Sequence, residues 1–347
     1  MQLNTIKLKQ FRNFDTASFS FSPALTVIIG ENAKGKTNIL EAICFLLVGS
    51  GFREHTEDEL ITVKKNQLEA EGIFTIDSYV SELHIILKEK EAVIERIFLV
   101  NRSKKKLFQY QRETTRAVLF SPEQIQIITG SPDRRREYLD DIISLYKPEH
   151  KKRLFNYTNA LRKRNKLLET HTNVQTLKEE LTFWNKYLEE QATVITQNRR
   201  KYIDFLNTHS RIDNKEFRVE YVSNELTAKR LEEVFERERI YRKTFIGPQK
   251  DDFRIFLKGE KFEKDLHCFG SRSEQRLGVF WLKMNEIYHH EAQKKKPILL
   301  LDDIFSELDL KNKKLVFHLI KNYQTVLTTT EEELLDISGV EQEIIRL

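Results

Sequence analysis

Two cysteines in 347 residues, Cys44 and Cys268, are too few for a disulfide framework and offer no metal-ligand spacing. Both read most simply as buried or inert thiols of a reducing compartment. No apolar run approaches the roughly 18 residues that a membrane-spanning helix needs, and the first residues lack the basic-apolar-small layout of a signal peptide. The expectation is a cytoplasmic protein with no membrane partner. Glycine is scarce as well, 11 in all, and is absent from residues 131–246, where Pro132 and Pro148 are the only prolines. Glycine punctuates turns, so this gap predicts long helices joined by tight polar connections. No internal repeat or low-complexity tract is present.

With 39% hydrophobic and 32% charged residues, the chain reads as globular, of about two domains, with a long charged helical part. Its net charge of +5 is unevenly spread: residues 101–170 hold 17 Lys+Arg against 8 Asp+Glu. Lys104-Lys105-Lys106, Arg134-Arg135-Arg136, Lys151-Lys152-Arg153 and Arg162-Lys163-Arg164 form successive basic clusters with Tyr, Phe and Lys147 among them. A charge run is ordinarily a solvated face, but this pattern suits a phosphate backbone better than an acidic protein groove.

Gly30-Glu31-Asn32-Ala33-Lys34-Gly35-Lys36-Thr37 is a complete G-x4-G-K-T loop. It sits between an apolar strand at 25–29 and a helix whose Ile39, Leu40, Ile43, Leu46 and Leu47 recur at helical spacing. The glycines let consecutive N–H groups curl around an anion, and the helix start adds unpaired donors and a positive dipole end. Lys36 can reach the β- and γ-phosphates, and the Thr37 hydroxyl can ligate Mg²⁺. The bland alternative is a Gly-rich turn capping a core helix. Far downstream, Pro297-Ile298-Leu299-Leu300-Leu301-Asp302-Asp303 is a buried-strand run ending in two carboxylates, the Walker B pattern. Asp302 would hold Mg²⁺, and Asp303 is placed to polarise the water attacking the γ-phosphate. ATP and Mg²⁺ are therefore the expected ligands.

The first hundred residues read as strand-rich, with β-like stretches at 79–87 and 92–100. Leu177, Leu181, Trp184, Leu188, Ala192 and Ile195 mark one apolar stripe of a helix, best read as a packing seam. A strand at 253–257, a helix over about 273–293, the Asp302-Asp303 strand, a helix through about 309–321 and a strand at 325–328 follow. The expected fold is α/β: an ABC-type P-loop ATPase head, split in sequence, with an inserted, mainly helical lobe. Its parts are 1–130 (head, N-terminal part), 131–246 (helical arm) and 247–347 (head, C-terminal part).

Along nearly its whole length the sequence resembles the RecF family of bacterial recombination and repair ATPases, relatives of the SMC heads. The residues that carry the likeness begin with Leu8-Lys9-Gln10-Phe11-Arg12-Asn13-Phe14 and continue through Gly30 to Asn38 and Glu41-Ala42. Phe120-Ser121-Pro122-Glu123, Gly130-Ser131-Pro132, Arg134-Arg135-Arg136 and Leu139-Asp140 follow. Gly247-Pro248-Gln249-Lys250-Asp251-Asp252-Phe253 and Leu300-Leu301-Asp302-Asp303-Ile304-Phe305-Ser306-Glu307-Leu308-Asp309 complete the series.

The resemblance implies an ATP-dependent homodimer. Two subunits would pack head-to-tail, each ATP closed by the partner's signature, here Phe269-Gly270-Ser271-Arg272-Ser273-Glu274-Gln275-Arg276. Ser271 would bond the γ-phosphate, Glu123 would act as the Q-loop residue, and Arg12 and Asn13 would contact nucleotide. It further implies double-stranded DNA at single-strand gaps as target, RecR and RecO as partners, indirect action on RecA, and a place in recombinational repair, replication and the SOS response. Two departures stand out: Ser273 occupies a position where the family generally has glycine, and Thr329-Thr330 follow the 325–328 strand where transporter ATPases carry a histidine. The latter predicts slow turnover, suited to a switch. Two other readings remain: an ABC-type ATPase coupled to a protein partner, and a DNA-binding scaffold with ATP as structural ligand. His289-His290 near Lys294-Lys295-Lys296 reads as a solvated patch. Asp251-Asp252 reads as a turn or a contact to the arginine cluster, with metal ligation the less favoured option.

Overall fold

Strand β3 (Leu25–Ile29) is buried at all five positions, as is β14 (Thr325–Thr329), which is what central strands of a parallel sheet require. In the computed structural model these two strands anchor a sheet of order β15-β3-β14-β13-β8. Its other members are β8 (Ala117–Phe120), β13 (Ile298–Asp302) and β15 (Gln342–Arg346), and every pairing is parallel. The structure describes residues 1–53, 56–76, 79–91, 93–114, 116–212, 214–260, 262–304, 313, 316, 320–330 and 342–347.

The chain divides into two units, residues 1–123 with 286–347, and residues 124–285. The first holds the parallel sheet and a second, antiparallel one of order β2-β1-β4-β5-β6-β7. Its strands are β1 (Gln2–Phe11), β2 (Phe14–Ser20), β4 (Gln67–Ile76), β5 (Tyr79–Lys90), β6 (Val93–Val100) and β7 (Ser103–Lys105). Leu68, Ala70 and Phe74 alternate inward along β4, and Leu83, Ile85 and Leu87 along β5. They meet Ile39, Leu40, Ile43, Leu46 and Leu47 of α1 (Lys36–Val48) in one hydrophobic core. Gly49 ends α1 with left-handed backbone, its N–H donating to the Phe45 carbonyl. Helix α2 (Leu107–Glu113) packs Tyr110 beneath it, whose hydroxyl donates to the Leu46 carbonyl at 2.5 Å.

The second unit begins with α3 (Gln126–Thr129) and the long helices α4 (Pro132–Tyr146), α5 (Pro148–Thr170) and α6 (Val174–Thr208). Proline opens α4 and α5, where its missing N–H costs nothing; the Asn173 side chain caps α6, accepting from Gln175 and Thr176 N–H groups. Leu177, Leu181, Leu188, Ala192 and Ile195 of α6 are buried, as the stripe requires. A small antiparallel sheet follows, of order β12-β11-β10-β9. It consists of β9 (Arg211–Ile212), β10 (Lys215–Val222), β11 (Asp252–Lys258) and β12 (Glu263–Asp265), with α7 (Ala228–Tyr241) between β10 and β11. Helix α8 (Leu266–Phe269) leads to α9 (Arg272–Ala292).

Residues 247–285, expected with the C-terminal part of the head, thus group with the helical part, and the unit changes at 285 and not at 246. The cause is pairing: β11 bonds to β10 from Phe217↔Leu257 to Val222↔Asp252, and buried ion pairs fasten the turn before it. The helix expected over about 309–321 lies mostly outside the described residues; residues 313, 316 and 320 are helical. No helix among the described residues is long and apolar enough to cross a membrane.

Candidate functional site

The carboxyl ends of β3, β14 and β13 lie side by side, so the loop after β3 and the last residue of β13 approach each other across β14. Open α/β sheets bind ligands at this end. The loop passes through left-handed backbone at Ala33 (φ 66°) and Gly35 (φ 106°). A Cβ on Gly35 would lie 2.7 Å from the Asn13 amide and 2.8 Å from the Phe14 ring, so dihedral and packing both demand glycine. Gly35 brings no side chain to cap α1, which leaves the first N–H groups of the helix as donors for an anion.

Lys36 Nζ donates to the carbonyls of Gly30 at 2.6 Å and Glu31 at 2.9 Å, so its ammonium lies over the loop. Thr37 Oγ1 donates to Asp302 Oδ1 at 2.9 Å, and Thr328 Oγ1 donates to the same oxygen at 2.8 Å. Two neutral donors orient that carboxylate without cancelling its charge, which suits a hard cation with oxygen ligands. Asp303 is held in left-handed backbone (φ 46°), its N–H donating to the Thr328 carbonyl at 3.2 Å and hydroxyl at 3.1 Å. Aspartate is among the few non-glycine residues that adopt this conformation at low cost. In the sequence Thr328 is marked only by a hydroxyl at the end of a buried strand, which the fold places next to Asp302.

Arg12 lies in the turn between β1 and β2 and binds Glu41 through Nε at 2.8 Å and Nη2 at 3.0 Å, with Nη1 on the Glu59 carbonyl at 2.8 Å. Glu41 is fully buried and also receives Arg53 at 3.1 Å, so one carboxylate positions two arginines. Asn13 donates to the Lys34 carbonyl at 3.2 Å and accepts from Asn38 at 2.7 Å, bracing the loop from outside. A cavity of about 640 Å³ opens beside it, lined by Arg12, Asn13, Asn38, Arg53, Ile61 and Val63, among others. Arg53 and Glu41 were not singled out from sequence as site residues. Glu123 is exposed in the turn after β8, at the same end of the sheet as Asp302.

Ser271 belongs to the second unit. Its Oγ accepts from the Glu274 N–H at 3.3 Å while its own N–H donates to the Glu274 carboxylate at 2.8 Å, a capping box at the start of α9. Burial would raise the Glu274 pKa, but the Lys264 ammonium and the Ser271 bonds outweigh it and lower the value. Residues 305–309 of the motif after Asp303 lie outside the described residues.

Several basic positions take other roles than expected, while Asp251 and Asp252 make the expected contact to the arginine cluster. Arg135 is buried and forms a bidentate pair with Asp252 at 2.6 and 3.0 Å, and Arg136 donates to the Asp251 carbonyl at 2.6 Å. Arg199 joins Asp251 at 2.9 Å and Asp140 at 2.7 Å, and His150 meets Asp140 at 3.0 Å. The Asp251-Asp252 pair is therefore an anchor for arginines, and the middle of the 134–136 cluster is interior. Arg164 is fully buried against Glu238 at 2.7 Å, so it too is no surface cation. His290 is fully buried, not solvated: its carbonyl accepts from Lys295 and Gln293 N–H groups where α9 ends. Cys268 is exposed and not buried, and Cys44 is half-buried.

A phosphate loop and a β13 carboxylate on a parallel sheet, joined to an antiparallel sheet and interrupted by a helical unit, define an ABC/SMC-type P-loop ATPase head. Residues 2–128 match the profile of the family described as RecF/RecN/SMC N terminal domain. The chain is 31% identical over 366 residues to the DNA replication and repair protein RecF of Natranaerobius thermophilus, covering 98% of this chain and 93% of that one. To RecF of Streptococcus agalactiae it is 35% identical over 354 residues, covering 96% and 92%. The chain belongs to the RecF family of DNA replication and repair proteins. Among solved structures, the recombination mediator protein RecF with ATP in the RecFOR pathway superposes with TM-score 0.81 at 28% identity, covering 98% and 93%. The corresponding RecF-ATPrS structure gives 0.84. An Smc head bound to the C-winged helix domain of ScpA shares the fold, with TM-score 0.53 at 18% identity.

Proposed function

We propose that this chain is an ATP-dependent DNA-binding switch of recombinational repair. The observation that carries the reading is the convergence of the Thr37 and Thr328 hydroxyls on one oxygen of Asp302, beside a glycine-shaped loop. Gly30 to Asn38 would cradle the phosphates of ATP, with Lys36 moving from the loop carbonyls onto the β- and γ-oxygens. The base and ribose would occupy the cavity lined by Asn13, Asn38 and Arg53. Thr37 and Asp302 would hold Mg²⁺, which when bound supplies the charge that draws phosphate oxygens to this carboxylate. Asp303 would orient the attacking water and Glu123 would link the site to the neighbouring segment. That ATP occupies relatives' structures supports the nucleotide assignment.

Dimerisation follows from the signature. Ser271 accepts a bond from Glu274, which leaves its hydroxyl proton to donate to a γ-phosphate bound by a second copy. ATP would then close the homodimer, and slow hydrolysis would open it. The closed dimer would retain double-stranded DNA, with gapped junctions as cellular target and RecR and RecO as partners in loading RecA. These partners rest on family membership and on the RecFOR pathway named for the similar structures.

The test is duplex DNA retention with ATP·Mg²⁺, without nucleotide, and with Lys36→Arg, at two salt concentrations. A gain with ATP that Lys36→Arg abolishes is expected. Nucleotide-independent retention would favour a scaffold, and no retention an ATPase coupled to a protein partner.

A further inference from the structure

Helix α5 has two faces with opposite chemistry. Tyr157, Ala160, Arg164 and Leu168 point inward and are buried. On the other side Lys151, Phe155, Thr158, Arg162 and Lys166 follow at intervals of three and four, flanked by Lys152 and Lys163, and all seven are exposed. Other arginines of this unit sit against carboxylates: Arg200 with Glu225, Arg211 with Glu216, Arg218 with Glu263, Arg239 with Glu236. Among the described residues no carboxylate lies within ion-pair distance of Lys151, Lys152 or Arg162, whereas Lys166 at the end of the face pairs with Glu169 at 3.5 Å. Lys163 instead lies 5.1 Å over the Trp184 ring. On the neighbouring α6 the exposed Glu179, Glu180 and Glu190 are offset by the exposed Lys178 and Lys186, whereas α5 holds seven Lys+Arg against two Asp+Glu.

We infer that this outward face of α5 is a phosphodiester-binding surface, and that Phe155 contacts the sugar or base beside the bound backbone. The inference rests on the nucleic-acid reading above and narrows the basic segment 101–170 to one helix face. From Lys151 to Lys166 the face runs about 22 Å at the helical rise per residue, which matches six or seven phosphates along one strand. The cations fall in two groups, Lys151 with Lys152 and Arg162 with Lys163 and Lys166, about 15 Å apart at the helical rise, a spread that fits an extended polyanion and not a point anion. Phe155 is 67% exposed at its centre, a ring with no internal packing task equal to its size. A flat apolar ring among cations is what single-stranded nucleic acid stacks upon, and what a duplex meets at its sugars.

The experiment compares the parent with Lys151→Gln/Lys152→Gln/Arg162→Gln/Lys163→Gln, and separately with Phe155→Ala. Binding to duplex and to single-stranded oligonucleotides is measured from 50 to 200 mM salt with ATP·Mg²⁺. All five positions are exposed, and glutamine is close to lysine and arginine in helix propensity, so the fold is retained, checked by circular dichroism. Each lost phosphate contact flattens the log–log salt slope by about 0.9 for duplex and 0.7 for single strands, so a change of roughly 3 is expected. Lys215→Gln/Lys229→Gln, exposed cations of the same unit off this helix, should leave the slope unchanged. Phe155→Ala should weaken single-strand binding roughly five- to a hundredfold. A parent that binds neither form sinks the nucleic-acid reading and this surface with it. A parent that binds, with a quadruple variant of unchanged slope, sinks the surface alone.

Discussion

Replacing Arg164 by methionine separates a structural cation from those proposed to contact DNA within a single basic cluster. Arg164 and Glu238 are both fully buried, 2.7 Å apart. Arg164 also donates to Asn185 at 2.8 Å and to Thr244 at 2.7 Å, tying α5 to α6 and to the segment after α7. Glu238 keeps one other bond, from the Phe245 N–H at 2.7 Å. Arg164→Met leaves that carboxylate buried beside a thioether, a loss of about 3–5 kcal/mol. For a unit of about 160 residues, each kcal/mol is worth about 2–4 °C in melting temperature, so the unit should melt roughly 6–20 °C lower. Trp184 and Trp281 are the only tryptophans and both lie in this unit, so their fluorescence follows it selectively. Arg164→Met/Glu238→Leu should recover most of the loss, because apolar replacement of a whole buried pair is often near neutral. DNA affinity of the double variant should equal the parent's. If Arg164→Met melts like the parent yet binds DNA more weakly, the assignment of Arg164 to the interior is wrong.

Thr328→Val removes one of two donors from Asp302 Oδ1 and should raise the Mg²⁺ concentration needed for half-maximal ATP binding several-fold, read by nucleotide fluorescence; an unchanged requirement would deny Thr328 a positioning role. Gly35→Ala places a Cβ against Asn13 in left-handed backbone, costing at least about 1 kcal/mol, and should abolish nucleotide binding while melting falls only slightly. Asp303→Asn keeps a residue that tolerates left-handed backbone, so it isolates the charge; it should trap the ATP dimer on DNA, and faster release than the parent would refute the hydrolytic role. Asp140 provides a pH test. Burial alone would raise its pKa, but hydrogen bonds from His150 and Arg199 outweigh that and hold it below the ordinary carboxylate value of 3.8. A depressed folded-state pKa means stability is present above pH 3.8 and lost as pH falls through the lower folded value. Asp140→Asn should therefore flatten the acid limb of a urea-stability profile below about pH 4, and an unaltered limb would contradict the pairing.

The head was legible because its signals are local. The G-x4-G-K-T loop and the apolar run into Asp302 each carry their chemistry in consecutive residues, and both ended where open sheets bind ligands. Helix α6 was legible for the same reason, its stripe repeating over five turns. What escaped was long-range pairing. The alternation of Phe217, Val219 and Tyr221 in β10 was hidden inside a glycine-free stretch that favoured helices, and its partner β11 lies some thirty residues away across α7. Arg135, Arg164 and Arg199 look like surface cations in a linear count, because their partners Asp252, Glu238 and Asp251 are distant in sequence. The partner of Arg12 was hidden in the same way: Glu41, on the first helix, holds its guanidinium from 29 residues away.

The central claim is that ATP joins two copies of this chain around DNA. Light scattering on a sizing column, with saturating ATP·Mg²⁺ and a duplex oligonucleotide, tests it most directly. The account predicts the mass of two chains with ATP and of one chain with Lys36→Arg. A parent that elutes as a single chain under those conditions would contradict it.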